Sequence, residues 1–313
     1  MKAAYYERCG GPEVLTVGPR PDPVVGTRQV LVAVRAASVN PKDLLLRAGK
    51  LRFLPSGPLP RIPGFDFAGE VATAAHGFAE GDRVFGMLNG HRGGATAELV
   101  AVHADELAPM PDGPWAQAAS VPLAWLTALQ ALRDCGRLQG GQRVLIHGAS
   151  GGVGTAAVQI ARAVGAHVTA VCSGRNADLV AGLGAHEVID YTQGDPLAGG
   201  AWDVVFDVFG NLSFARARRV IGRGAFVSTV PKAHVIRAHV LHGWRRPSAQ
   251  LVVVRSRRAD LEHLAELLSA DARAVVDRVV PLEQIADAHA YVGTRRARGK
   301  VVIEVASAAA ADC

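Results

Sequence analysis

The sequence predicts an α/β protein in which a doubly wound parallel sheet is inserted into a second, β-rich unit. Three observations carry this. The first third of the 313-residue chain is a series of short β-branched segments broken by proline and glycine. From about residue 120 the texture changes to strands alternating with amphipathic helices, the signature of βαβ units. The last fifty residues return to strand-like segments. With 49% apolar and 20% charged residues, each unit has enough apolar side chain to bury a core of its own.

Taken in order, the β-rich part begins with the strand Val30–Val39, where β-branched residues recur. A loop punctuated by proline and glycine follows from Pro55 to Gly64. Further strands are expected at Glu70–Thr73, Asp82–Gly86 and Ala97–Val102. The alternating part then predicts strand Arg143–His147, helix Val153–Val164, strand His167–Val171, helix Ala177–Leu183 and strand Glu187–Ile189. It continues with strand Val204–Asp207, helix Leu212–Val220, and strands Ala225–Thr229 and Leu251–Val254. Helix Leu261–Leu268, strand Asp277–Val280, helix Leu282–Val292 and strand Lys300–Val305 complete the pattern. The domain boundaries expected are 1–121 with 262–313 for the split unit, and 122–261 for the inserted one.

Composition excludes several classes. The net charge of +6 comes from scattered clusters, Arg216–Arg219, Arg245-Arg246, Arg255–Arg258 and Arg295–Arg298. Scattered charge reads as solvated surface and as a mild field that steers an anionic cofactor, not as a nucleic-acid stripe. Cys9, Cys135, Cys172 and Cys313 lie too far apart for a disulfide framework or a zinc knuckle. No apolar run reaches the roughly 18 residues of a membrane span. A cytoplasmic protein with no nucleic-acid or membrane partner is expected.

The strongest local signal is Val144-Leu145-Ile146-His147-Gly148-Ala149-Ser150-Gly151-Gly152-Val153-Gly154. An apolar strand runs into a glycine-rich turn that opens a helix. Glycines let the backbone approach a pyrophosphate, and the helix N-terminus offers free N–H groups at its positive end. Ser150, Gly151, Gly152, Val153 and Gly154 are therefore cofactor-binding candidates. An NAD site would end the second strand with Asp or Glu. Here Cys172 is followed by Ser173-Gly174-Arg175-Asn176, and no carboxylate appears before Asp178. A hydroxyl, a guanidinium and an amide suit a 2′-phosphate, so NADPH is the expected cofactor, with Ser173, Arg175 and Asn176 reading it. Asn176 is equally suited to cap the next helix.

Beyond this turn, the chain resembles the medium-chain dehydrogenase/reductase superfamily, and within it the quinone oxidoreductase group. The resemblance rests on Gly10–Leu15, Asn40-Pro41-Lys42-Asp43, Ile62–Gly69, Gly81–Gly86, Pro122–Ala128, the Ala149–Gly154 turn and Arg298–Val302. It implies a Rossmann domain inserted in a GroES-like catalytic domain, with the active site in the cleft between them. Zinc-dependent members carry cysteine where Asn40 stands and Gly-His-Glu where Gly64-Phe65-Asp66 stands, so no metal is expected. His234, His239 and His242 share a loose helical spacing but make no credible ligand set.

The resemblance also implies roles. Asn40 and Thr127 lie beside the nicotinamide, with Asn40 able to donate to a substrate carbonyl, while Asp43 reads as a structural partner or cap. Tyr191 matches a residue that contacts the adenosine phosphates. Val208, Phe209, Val230 and Lys300 line the nicotinamide crevice. Lys50, Arg52, Phe53 and Trp125 are candidate substrate-pocket residues, Lys50 and Arg52 being possible cationic donors. No tyrosine acid follows the Asn-Pro-Lys-Asp segment, and no proton donor is assigned. The segments Val168–Asn176 and Leu183–Tyr191 look most like plastid-envelope quinone oxidoreductase homologues, which reduce α,β-unsaturated carbonyls.

The expected activity is zinc-free hydride transfer from NADPH to a quinone or to the C=C bond of a small α,β-unsaturated carbonyl, by a homodimer paired through Leu251–Val254. A pathway-specific enoyl reductase, and a non-catalytic protein binding NADPH or RNA, remain open alternatives.

Overall fold

A computed structural model describes residues 1–51, 55 and 57–305. The chain forms two compact units, Met1–Leu123 with Arg255–Cys313, and Ala124–Val254. The first unit contains strands β1 (Lys2–Tyr5), β2 (Thr16–Pro19), β3 (Gln29–Val39), β4 (Asp66–Val71), β5 (Arg83–Met87), β6 (Leu99–His103) and β7 (Leu107–Pro109). The second contains β8 (Arg143–His147), β9 (His167–Cys172), β10 (Glu187–Asp190), β11 (Val204–Asp207), β12 (Ala225–Ser228) and β13 (Ser248–Leu251). β14 (Val276–Pro281) and β15 (Lys300–Glu304) belong again to the first unit.

In the first unit, β3 is the organising strand. Val30, Val32, Val34 and Ala36 alternate inward, as the period-two pattern requires, and then Ala37, Ser38 and Val39 are all buried. The sheet runs β14-β15-β3-β4-β5-β7, with β6 also paired to β3. Register decides what meets at its end: Ser38 lies opposite Asp66 on β4 and opposite Val302 on β15. That alignment brings the end of β3, the start of β4 and Lys300 at the start of β15 to one place. Phe65, Phe67, Phe85 and Leu107 are fully buried beneath it, each contributing about 1.5–3 kcal/mol.

Immediately after β3, Asn40 caps the helix Pro41–Arg47, with Asp43 completing a reciprocal capping box and proline at the first helical position. The far end of that helix is fixed by buried Arg47, whose Nη1 meets His289 Nδ1 at 3.2 Å. Burial, and then the Arg47 charge, push His289 down to about 3, so its ring is a neutral acceptor.

In the second unit, the six strands are all parallel in the order β10-β9-β8-β11-β12-β13. β11 and β12 are buried at every position, the near-continuous apolar pattern of a sheet covered on both faces. The order reverses at β8, with β9 on one side and β11 on the other. In open α/β sheets, ligands gather outside the carboxyl ends of the strands at such a reversal.

Several sequence expectations shift. The first unit resumes at Arg255 rather than at residue 262, because Ser256 is tied to Asn89 (N to Oδ1, 2.8 Å) and to the Glu106 carbonyl (3.1 Å). The helix Arg258–Ala270 buries Leu261 and Leu264 there. The helix expected over Leu212–Val220 shrinks to Phe214–Ala217. Asp207 holds the preceding residues in a turn by accepting the N–H groups of Asn211 (3.2 Å) and Leu212 (2.9 Å). The expected strand Leu251–Val254 is Ser248–Leu251, in register with Ala225–Ser228. Before it stands an unforeseen helix, Ala233–His242, carrying the three histidines of loose spacing. His239 meets the Ala249 carbonyl (3.2 Å) and His242 packs on Phe214.

Candidate active site

The dinucleotide turn is built from backbone. β8 ends at His147, and the helix Gly152–Ala163 begins five residues later with no side chain capping it. Its first-turn N–H groups, those of Gly152, Val153 and Gly154, have no intrahelical partner and lie at the positive end of a twelve-residue helix. A Cβ on Gly154 would stand 2.1 Å from the Gly148 carbonyl oxygen and 2.6 Å from Ala149 Cα, so only glycine lets helix and turn close together. These features fit a pyrophosphate at the helix start.

The second turn follows β9. Asn176 is buried, and its Nδ2 donates to Ser150 Oγ at 2.9 Å and to Ser173 Oγ at 3.4 Å. Its Oδ1 is a buried acceptor without a partner among the described residues. Asn176 is thus not the phosphate donor the sequence suggests. It occupies an acceptor site on each of two serine hydroxyls, leaving their protons to donate elsewhere. Arg175 is exposed on the same turn. Asp190 approaches from β10, its carboxylate held by Thr192 N–H (2.9 Å) and Oγ1 (2.8 Å). Those hydrogen bonds keep it below the ordinary carboxylate range. Tyr191, next in chain, is exposed.

At the carboxyl ends of β8, β11 and β12, the segment Val208–Gly210 is clamped from both sides. Val208 donates its N–H to the His147 carbonyl (3.1 Å), and its own carbonyl accepts from Thr229 Oγ1 (2.7 Å). Asp207 Oδ1 meets His147 Nδ1 at 3.2 Å, a pairing the sequence reading missed because the residues lie sixty positions apart. Phe209 lies against Gly148, where a Cβ would sit 2.4 Å from its ring, and Val230 lies against Gly210. The structure therefore brings Val208, Phe209 and Val230 together at this sheet edge. Thr127 and Trp125 are instead buried, the indole only 2% exposed, so Trp125 is a core residue of this unit and not a pocket wall.

In the first unit a polar cluster is buried at the end of the sheet. Lys300 Nζ donates to Asn40 Oδ1 (2.5 Å) and the Val39 carbonyl (3.2 Å), and pairs with Asp66 Oδ2 (3.3 Å). Asp66 also accepts from Ser38 Oγ (2.7 Å), Asn40 Nδ2 (2.9 Å) and Leu123 N–H (2.8 Å). Asn40 gives its other N–H to the Ser38 carbonyl (3.4 Å). Both amide hydrogens of Asn40 are therefore committed within the protein, and the side chain expected to grip a substrate carbonyl instead locks Lys300 to Asp66. Lys300, expected in the crevice wall, is buried in this cluster. Beneath, Asp43 accepts the N–H groups of Asn40 (2.8 Å) and Gly64 (2.9 Å). Burial still outweighs those donors and raises its carboxyl to about 6.

Lys42, whose side chain the sequence reading left without a role, stands over the cluster's edge. Its ammonium lies 3.8 Å from the centroid of the buried Phe65 ring and donates to the Gly90 carbonyl at 2.5 Å. Neighbouring His91 has a buried Nδ1 with no partner among the described residues. Lys50 is exposed, whereas Arg52 and Phe53 lie outside the described residues.

Comparison with known proteins accords with this arrangement. Residues 183–303 match the family described as zinc-binding dehydrogenase, and residues 26–112 match the alcohol dehydrogenase GroES-like domain. The chain is 35% identical to the NADPH-dependent alkenal/one oxidoreductase of Arabidopsis thaliana, over 97% of this chain and 79% of that one. It is 41% identical to the quinone-oxidoreductase homolog of Spinacia oleracea, over 61% of each chain. The solved quinone oxidoreductase of Coxiella burnetii superposes with a TM-score of 0.89 at 31% identity, covering 98% of this chain and 99% of that one. The chain belongs to the medium-chain dehydrogenase/reductase superfamily.

As a superfamily member it is an oxidoreductase with a GroES-like catalytic domain and a Rossmann domain. The matched description mentions zinc, and the residues here do not fit that ion. At the two positions where zinc-dependent members place thiolate and imidazole, this chain has an amide, Asn40, and a phenyl ring, Phe65. The adjacent carboxylate, Asp66, is already held by an ammonium and three further donors. A zinc site needs three or four nitrogen, sulfur or oxygen donors in tetrahedral array. Among the described residues no group of three His, Cys, Asp or Glu side chains converges to supply them.

Proposed function

We propose that this protein reduces a quinone, or the C=C bond of a small α,β-unsaturated carbonyl, with NADPH and without a metal. The observation that carries the reading is the pair of turns after β8 and β9. The first offers uncapped N–H groups to a pyrophosphate, and the second offers the Ser173 hydroxyl and Arg175, with no acid at the end of its strand. When bound, the dinucleotide supplies the hydride. The chain's own work is binding, orientation and control of protons. The first-turn amides and helix dipole hold the pyrophosphate. Ser173 and Arg175 read the 2′-phosphate. His147, Asp207 and Thr229 fix the Val208–Gly210 segment that borders the crevice. With no Lewis acid to stabilise an alkoxide, acceptors that delocalise charge, quinones and enones, suit the site better than simple ketones.

The test is NADPH oxidation measured with a quinone panel and an enone panel, each with and without chelator. Turnover of either panel, unaffected by chelator, is expected. NADPH binding without turnover of any acceptor, or turnover abolished by chelation, refutes the proposal.

The reading extends to assembly and location. What supports a homodimer is β13, the last strand of its sheet, beside exposed Trp244, Val240, Leu241 and Val253. Sedimentation of a monomer at micromolar concentration would exclude it. Three unpaired cysteines, Cys9, Cys135 and Cys172, suit a reducing compartment such as the cytoplasm. No helix among the described residues is long and apolar enough to cross a membrane.

A further inference from the structure

The turn after β9 suits a 2′-phosphate, yet a carboxylate stands against it. β10 pairs with β9 in parallel register, and its last residue, Asp190, lies opposite Cys172, the last residue of β9. The acid missing from the end of β9 is therefore present at the same level, one strand away. Gly174 leaves room for it: a Cβ at that position would lie 2.7 Å from Asp190 Oδ2.

We infer that Asp190 is a specificity-determining residue, whose fixed carboxylate accepts a ribose hydroxyl and so lets the turn take NADH as well as NADPH. The inference rests on the dinucleotide reading of the two turns and deepens it.

The carboxylate is held in place from its own side. Oδ1 accepts the Thr192 N–H (2.9 Å) and the Thr192 hydroxyl (2.8 Å), while Oδ2 lies towards Gly174. The backbone around it is tied as well. Tyr191 donates its N–H to the Cys172 carbonyl (3.2 Å), and Gln193 donates to the Asp190 carbonyl (3.0 Å). The charge is kept. Hydrogen bonds from the Thr192 N–H, then from its hydroxyl and more weakly from the Gly174 N–H, hold Asp190 below the ordinary carboxylate range. The charge reaches across the ladder, where it adds to burial in raising the Cys172 thiol. No cation pairs with Asp190 among the described residues, in contrast to Asp195, which Arg216 holds at 2.5 Å.

A seat for phosphate alone gains nothing from this arrangement. A 2′-phosphate carries about two negative charges near neutrality, and an unpaired carboxylate beside it repels it. A ribose hydroxyl is a donor, and a carboxylate is the acceptor that NAD sites use for it. Turn formation by itself would be served equally by asparagine, whose amide oxygen accepts from Thr192 in the same way. Ser173 and Arg175 favour the phosphate while Asp190 favours the hydroxyl. The turn thus separates the two coenzymes only weakly, by setting one charge against another.

The experiment measures binding of NADPH and of NADH, by nucleotide fluorescence, to wild type, Asp190→Asn and Asp190→Ser. Thermal unfolding is followed alongside. Removing the charge should move the two affinities in opposite directions: NADPH about three- to tenfold tighter, NADH about three- to tenfold weaker. The gain for NADPH should shrink as salt is added, because it comes from a screened charge at an exposed position, and the loss for NADH should not. Competition by adenosine 2′,5′-bisphosphate and by AMP should follow the same two directions, which assigns the effect to the adenosine half of the coenzyme. A wild type that binds NADPH and has no measurable affinity for NADH overturns the inference. So do variants in which both affinities shift alike or neither shifts, and Asp190 is then a turn residue only. A wild type that binds neither coenzyme overturns the dinucleotide reading itself.

Discussion

The glycine-rich turn of the second unit and the polar cluster of the first are built by opposite means. The turn presents backbone: N–H groups at a helix start, reachable because Gly151, Gly152 and Gly154 carry no side chain. The cluster is centred on side chains, Ser38, Asn40, Asp66 and Lys300, from three strands and a helix cap separated by up to 262 positions in sequence. A backbone site tolerates any flanking side chain that leaves the chain path intact. A buried side-chain network is satisfied only when every member is present, because a charge left alone in the interior carries its full desolvation cost. The two regions should therefore fail differently.

The largest effect is expected at Lys300→Met. It leaves the Asp66 carboxylate buried without its ammonium and should cost about 3–5 kcal/mol in urea unfolding. NADPH affinity of the protein that still folds should change little. A variant as stable as wild type would show that the cluster is not the closed network described.

Next comes the pH dependence of Asp43. Its pKa is raised to about 6, so its stabilising contribution is fully present below about 4 and is lost as pH rises through about 6. At neutral pH the buried carboxylate should weaken the first unit by at most about 3 kcal/mol relative to acid. Asp43→Asn should flatten the difference between urea midpoints measured at pH near 4 and near 7. An unchanged slope would assign it to other groups.

Gly154→Ala probes the other region. Its Cβ would press on backbone that cannot move aside, so about 1–3 kcal/mol of stability and most NADPH affinity should be lost together. Loss of stability without loss of affinity would separate packing from binding. The smallest effect is expected at exposed Arg175. Arg175→Ala should raise the KM for NADPH about tenfold and leave that for NADH nearly unchanged. Equal effects on both would remove the 2′-phosphate from its role.

The same contrast explains what was legible in the sequence. The turn at Gly148–Gly154 was readable because strand, glycines and helix are contiguous. The clustering of Val208, Phe209 and Val230 was readable because all three follow the ends of neighbouring parallel strands. Asn40 was expected to face a substrate carbonyl, and nothing local reveals that its amide meets Asp66 and Lys300. Trp125 lay in a recognisable motif, yet burial, which motifs do not encode, makes it core. The contact of Lys42 with the Phe65 ring was not legible, because the two residues lie 23 positions apart. The unforeseen helix Ala233–His242 has polar and apolar residues on most of its circumference, and that weak periodicity hid it.

The hydrogen bonds from Asn176 to Ser150 and Ser173 carry one more implication. They join the loop proposed to cradle the diphosphate to the loop proposed to distinguish the ribose, through a single amide. Ordering either loop lowers the entropy still to be lost by the other, so two halves of the coenzyme offered as separate fragments should each help the other to bind. Severing that amide would uncouple them, and the protein would then recognise the coenzyme as two independent pieces.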